Sequence, residues 1–190
     1  MKEKLLIFKK EKDYNLKTTI SIVLIVGLIS GFLGFIYEEI FYKIDLGYLV
    51  KRGSTYGPII PVYFFGAVII IFLTYRFKKY PALVLLINAL LSGIVEFLTA
   101  LFFDKVCNVR LWDYNVEIWN WGNINGYICA RSIALFGICS FLFIYLLVPM
   151  MFKVKEKVSE KTLSIIAFAG TGLFFLDIIL HFIFSYLLAH

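Results

Sequence analysis

Charged side chains are scarce in this sequence: Asp, Glu, Lys and Arg make up 17% of its 190 residues, against about 25% in a soluble globular domain. They also sit in clusters between long apolar runs, an arrangement that leaves a water-soluble fold too little charge to cover its surface. Cysteine is sparse too. Cys107, Cys129 and Cys139 have no metal or redox spacing, and an odd number leaves one unpaired under any scheme. Cys139 lies in an apolar run and reads as a small packing residue, while a Cys107–Cys129 disulfide is one option for the other two. Signatures of chemistry are missing as well: there is no GxxxxGK[ST], GxSxG, HExxH or CxxC. These residues therefore do not power transport with ATP by themselves, and no nucleophile motif is present. With only two histidines, His181 and His190, neither a metal nor a cofactor is expected; a metal site built from Glu96, Asp177 and His181 is the alternative left open, without a spacing that points to it.

What the chain does have is apolar length. It is 61% hydrophobic, with a mean hydropathy of +0.87. Five stretches, residues 18–42, 58–75, 81–103, 128–151 and 162–189, are each long enough to cross about 30 Å of hydrocarbon at about 1.5 Å per residue. Inside lipid the backbone must satisfy its own hydrogen bonds, so each stretch is expected to be a helix. The expected fold is an all-α integral membrane bundle of five transmembrane helices occupying residues 18–190. Residues 1–17 form a short basic tail. The apolar stretch after it, about 25 residues with no A-x-A-like end, is too long for a signal-peptide core and reads as an uncleaved first span.

The basic residues set an orientation. Thirteen of the nineteen Lys and Arg lie in the tail and in the second and fourth connections, and six lie on the other side. The heavier side is cytoplasmic by the positive-inside rule, which puts the N-terminus inside and the C-terminus outside. The net charge of +6 thus reads as topology, and no nucleic-acid partner is expected.

Orientation gives depth to residues that are costly in lipid. Glu38 and Glu39 fall near the outer end of the first span, and Glu96 about a turn beyond the middle of the third. Arg131 lies at the outer mouth of the fourth. Asp177 lies near the middle of the fifth span, with His181 one turn further on the same face. Glu39 is assigned to the interface. The remaining five converge on the outer half of the bilayer, and the inner half is expected to hold almost no polar groups. A lone charge at mid-span costs about 2.5–3.5 kcal/mol on insertion scales. Two readings follow: a packing cluster, with Arg131 paired to Glu96 or Glu38 and Asp177 satisfied by His181, or a site for a solute, ion or proton.

Two outer connections add to this set. The first, KRGSTYGPIIPVY, carries Arg52, Tyr56 and Tyr63 as candidate binding residues. Gly53 and Gly57 permit unusual backbone angles, and Pro58 is placed to start a helix. Such a segment fits either a backbone folded over a cavity or a tight helix start. The second, CNVRLWDYNVEIWNWGNINGY, holds all three tryptophans. Trp119 and Trp121 suit an aromatic belt. The run Trp112-Asp113-Tyr114 followed by Asn123, Asn125 and Gly126 is more specific than a belt needs, and reads as a lid or rim over the polar residues.

Taken in order, five elements resemble a family of bacterial multi-pass membrane proteins described as "putative ABC-transporter type IV". They are Tyr37-Glu38, the Arg-Gly-x-x-Tyr-Gly-Pro-x-x-Pro-x-Tyr-x-x-Gly run from Arg52 to Gly66, Glu96, Trp112-Asp113-Tyr114, and Asn125-Gly126-x-Ile128. The resemblance covers roughly residues 25–152. It implies a permease-like role in the cell membrane with a separate ATPase chain as partner. Arg131 stands where the resemblance leads one to expect a smaller or apolar residue, and Asp177 and His181 have no counterpart in it.

The leading expectation is a permease-like subunit with a solute or ion site in the outer half of the bilayer. Gly27-x-x-x-Gly31 and Gly34 on the first span allow close helix contact, either between copies in a homo-oligomer or within the chain. A second reading is an intramembrane enzyme on a lipid substrate. Glu96 or Asp177 would be its base, His181 a proton shuttle, and Arg52 or Arg131 an anion clamp. The third is an accessory or sensory subunit without chemistry, in which the polar residues only fix packing.

Overall fold

In the computed structural model, which describes residues 14–53 and 55–184, the chain is all-helical. Among these residues the only extended pairing is an isolated bridge between Ile124 and Ile128. Helix α1 spans Leu16–Leu46. Asn15 caps it by accepting from the Thr18 amide at 2.8 Å, and Gly47 closes it at a φ of 83°, a left-handed conformation that suits glycine. Its 31 residues reach about 46 Å.

Helix α2, Pro61–Thr74, starts at the second proline of the run and not at Pro58 as expected. The residues before it stay out of the helix, with polar groups of their own already engaged. The Ile60 amide donates to the Gly31 carbonyl at 3.2 Å, and the Thr55 hydroxyl donates to the Ile59 carbonyl at 2.9 Å. A 3-10 turn, Tyr75–Phe77, continues α2, and the two together rise about 27 Å. Helix α3, Pro81–Val106, begins on its proline as expected.

Helix α4, Ala130–Leu142, passes through a π-helical stretch, Phe143–Leu147, into α5, Val148–Lys157. Pro149 accounts for the widened turn: it has no N–H for the Tyr145 carbonyl, and its ring crowds that oxygen. Helix α6, Glu160–Phe182, is capped by Ser159, whose hydroxyl accepts from the Thr162 amide at 3.1 Å. Among the described residues four rods are long and apolar enough to cross a membrane: Leu16–Leu46, Pro81–Val106, Ala130–Lys157 and Glu160–Phe182. The stretch Pro61–Phe77 is apolar but shorter. Most of the basic tail, and the end of the last expected span, lie outside the described residues.

The chain divides into two compact units. The first draws on Met1–Val68 and Leu146–His190. In it α1 and α6 run parallel. Asn15 donates to Glu160 at 2.7 Å, Ser21 donates to Ser164 at 3.2 Å, and Leu28 lies against Gly170 further along. The glycines of α1 are filled from within the chain: Gly27 faces the Phe64 ring, Gly31 faces Ile59 and Gly34 faces the Tyr63 ring. Of the two roles open to that motif, the structure thus places the internal one.

The second unit, Ile69–Tyr145, is built on α3 and α4 packed antiparallel. Gly137 lies on Ala89 and Gly93 on Ile133, and the Tyr145 hydroxyl donates to the Lys78 carbonyl at 2.7 Å. All three cysteines are free. The optional Cys107–Cys129 bridge is not made, Cys129 being fully buried at the start of α4.

Candidate functional site

In the second unit, α3 presents a stripe of buried residues every fourth position: Val84, Asn88, Ser92, Glu96 and Ala100. Four-residue spacing keeps side chains on one helical face, so this face is polar at three consecutive positions, Asn88, Ser92 and Glu96. Glu96 is 3% exposed. One carboxylate oxygen accepts from the Tyr114 hydroxyl, and the other lies 2.9 Å from the Ser132 hydroxyl on α4.

The connection from α3 to α4 is folded so as to deliver Tyr114. Arg110 donates to the Asn125 carbonyl at 2.6 Å and pairs with Asp113 at 3.2 Å. Asp113 also accepts from the Asn115 amide at 2.9 Å. Asn123 donates to the Asn115 side chain and accepts from the Gly126 amide, both at 2.8 Å. The Tyr114 amide donates to the Gly126 carbonyl at 3.0 Å, and the Trp112 indole to the Tyr127 carbonyl at 2.9 Å. Gly126 has a φ of 75°, and any side chain there would collide with Arg110, Asp113 and Asn115. Only glycine fits.

Beneath this loop Arg131 and Glu117 form an ion pair at 2.8 Å, with side chains 14% and 3% exposed. The Arg131 guanidinium lies over the Tyr114 ring. Burial, and then the neighbouring Glu96 carboxylate, pushes the Tyr114 phenol well above its ordinary range, so Tyr114 acts as a donor and not as a phenolate.

The Ser132 hydroxyl has a further property. Its oxygen lies 2.9 Å from Glu96 and 2.8 Å from the Cys129 carbonyl, and a hydroxyl carries one proton. It can serve only one of these acceptors as donor. If it serves Cys129, the Glu96 contact is made by a protonated Glu96 donating to Ser132. The geometry accommodates both protonation states without moving a heavy atom.

In the first unit the polar groups grip backbone. Both oxygens of Asp177 are used: one accepts from the Tyr56 amide and the other from the Gly57 amide, each at 2.8 Å. The His181 ring packs edge-on against Tyr56, with centroids 5.0 Å apart. Arg52 is anchored on the end of α1. Its amide donates to Glu39 at 3.1 Å, its guanidinium reaches Glu38 at 3.4 Å, and it stacks over Tyr42 at 3.6 Å.

The family model described as "Putative ABC-transporter type IV" matches residues 25–182. The chain belongs to that family. No curated protein and no solved structure gives a match. In this type IV chain the family region runs through α6, past residue 152, so it includes Asp177 and His181. Membership together with the apolar rods makes it a multi-pass membrane protein of a transport-related family.

Of the residues predicted to form its site, Glu96, Trp112, Asp113, Tyr114, Asn125 and Arg131 belong to the second unit. Glu38, Arg52, Tyr56, Tyr63, Asp177 and His181 belong to the first. Asp177 holds two backbone amides, which the i, i+4 reading with His181 did not foresee. Glu39, assigned to the interface, holds Arg52. Arg131 pairs with Glu117, and Tyr63 closes over Gly34. Sequence reasoning passed over Glu117, Ser132, Asn88 and Ser92. The four-residue spacing from Asn88 to Glu96 was the available signal for two of them.

Proposed function

We propose that this chain is a five-span, permease-like membrane subunit of the cell membrane, with its N-terminus cytoplasmic. Glu96 is its solute or ion contact beneath the 107–129 loop, and a separate ATPase chain supplies the energy. The observation that carries this reading is Glu96 itself: a buried carboxylate on an apolar helix, covered by a tyrosine that a purpose-folded loop delivers. Carboxylates at such positions are costly and concentrate at transport and relay sites.

The parallel course of α1 and α6 supports five crossings. With α3 and the α4–α5 rod each crossing once, parallel ends require α2 to cross as well. Its rise of about 27 Å is close to the roughly 30 Å of hydrocarbon. The Lys and Arg distribution supports the orientation.

The test is Glu96→Gln, which keeps the size and the acceptor oxygen. Expected are normal membrane insertion and an unchanged thermal midpoint, with lost complementation of a deletion strain. Full complementation would sink the site. A reporter fused to the C-terminus should signal outside the cytoplasm. An accessory reading, in which polar groups only fix packing, is favoured for the first unit alone, since Asp177, Glu38 and Glu39 all hold the chain's own first connection.

A further inference from the structure

The α3 face leading to Glu96 carries polar groups with no partner among the described residues. Asn88 is 0% exposed and Ser92 7%. Neither Asn88 side-chain atom, and not the Ser92 hydroxyl, makes a hydrogen bond among the described residues. An amide buried without hydrogen bonds costs several kcal/mol, and proteins meet that cost with internal water, which makes about three bonds per molecule to such groups. Side chains four apart on a helix stand about 5–6 Å from each other, which is the span of two hydrogen bonds through one water. The step repeats from Asn88 to Ser92 and from Ser92 to Glu96, a rise of about 12 Å in all.

We propose that Glu96 is a proton-carrying group, reached along α3 through water held by Ser92 and Asn88. The proposal rests on the reading of Glu96 as the functional carboxylate and names the proton as its ion. A hydronium in that row of water gives its proton to a Glu96 oxygen and leaves as water. The resulting acid donates to the Ser132 oxygen, and the Ser132 hydrogen turns to the Cys129 carbonyl; release reverses these moves. The other titratable and charged groups facing Glu96 are Tyr114 and Glu117 from the loop and Arg131 from α4. Arg131 and Glu117 neutralise each other, and Tyr114 keeps its proton, so Glu96 is the group that changes charge.

Infrared spectroscopy of the full chain in phosphatidylcholine vesicles tests this. Acidification should raise a protonated-carboxyl band that is absent from Glu96→Gln, and transfer to deuterium oxide should shift that band at once. Asn88→Leu and Ser92→Ala should each slow the exchange roughly tenfold, the factor that about 1.4 kcal/mol of a lost water-mediated bond makes in a rate. If Asn88→Leu does not fold, Ser92→Ala, which deletes one hydroxyl, carries the comparison alone. A carboxyl that never protonates, or exchange equally fast in the variants, overturns the proposal. Both results are independent of complementation by Glu96→Gln, so failure of the path and failure of the site are told apart.

Discussion

Replacing Asp177 with alanine should release the turn at Tyr56 and Gly57 while leaving α1 and α6 paired. The carboxylate accepts two amide bonds, each at 2.8 Å. A hydrogen bond to a charged acceptor contributes about 1.5–3 kcal/mol. Tyr56 is 52% exposed, so water replaces much of its share, and the Gly57 bond dominates. The net loss is then about 2–3 kcal/mol, which raises the open population of the turn about 30- to 150-fold. Trypsin reads that population directly, because Lys51 and Arg52 precede the turn, and cleavage tracks the open fraction when reclosing is fast. In detergent, where both faces are accessible, cleavage there should accelerate by that factor in Asp177→Ala. Asp177→Asn should fall between the two, since it keeps one acceptor and sets an NH2 against the other amide. Cleavage at the wild-type rate in Asp177→Ala would refute the clamp.

Three further outcomes follow from the packing. Arg131→Met or Glu117→Gln alone should lower the thermal midpoint through a loss of about 3–5 kcal/mol, the cost of stranding one buried charge. The double variant should recover part of that loss, and strictly additive losses would refute the coupling. Tyr114→Phe should lower the midpoint through about 1–3 kcal/mol by leaving Glu96 short of a donor, whereas Tyr48→Phe, at a residue 63% exposed, should not. Gly34→Ala should destabilise by about 1–3 kcal/mol by overpacking against the Tyr63 ring. Gly66→Ala meets nothing within 4 Å and should stabilise α2 by up to about 1 kcal/mol; equal effects at the two sites would count against that packing.

The helices were legible because apolar length dominates this chain, and α3 starts on Pro81 because a proline at a helix start gives up no bond. Pro58 offered the same signal and misled. Nothing local records that the Ile60 amide is taken by Gly31, almost thirty positions earlier. The loop over Glu96 could be anticipated from Trp112 to Tyr114 and from Asn125 and Gly126, whose turn chemistry is local. Glu117, the partner of Arg131, could not, because a carboxylate among polar loop residues looks solvated until the fold buries it. Asn88 and Ser92 escaped for the opposite reason: two small polar groups barely lower the hydropathy of an apolar run.

The clamp on the first connection also has a history in time. Its acceptor follows its donors by 120 and 121 residues, and a ribosome adding about 5–20 residues per second takes about 6–24 s to bridge that gap. Through that interval the Tyr56 and Gly57 amides have only water or lipid headgroups to bond. The first connection is therefore finished by α6, made long after it, and a polypeptide stalled before α6 would display it open.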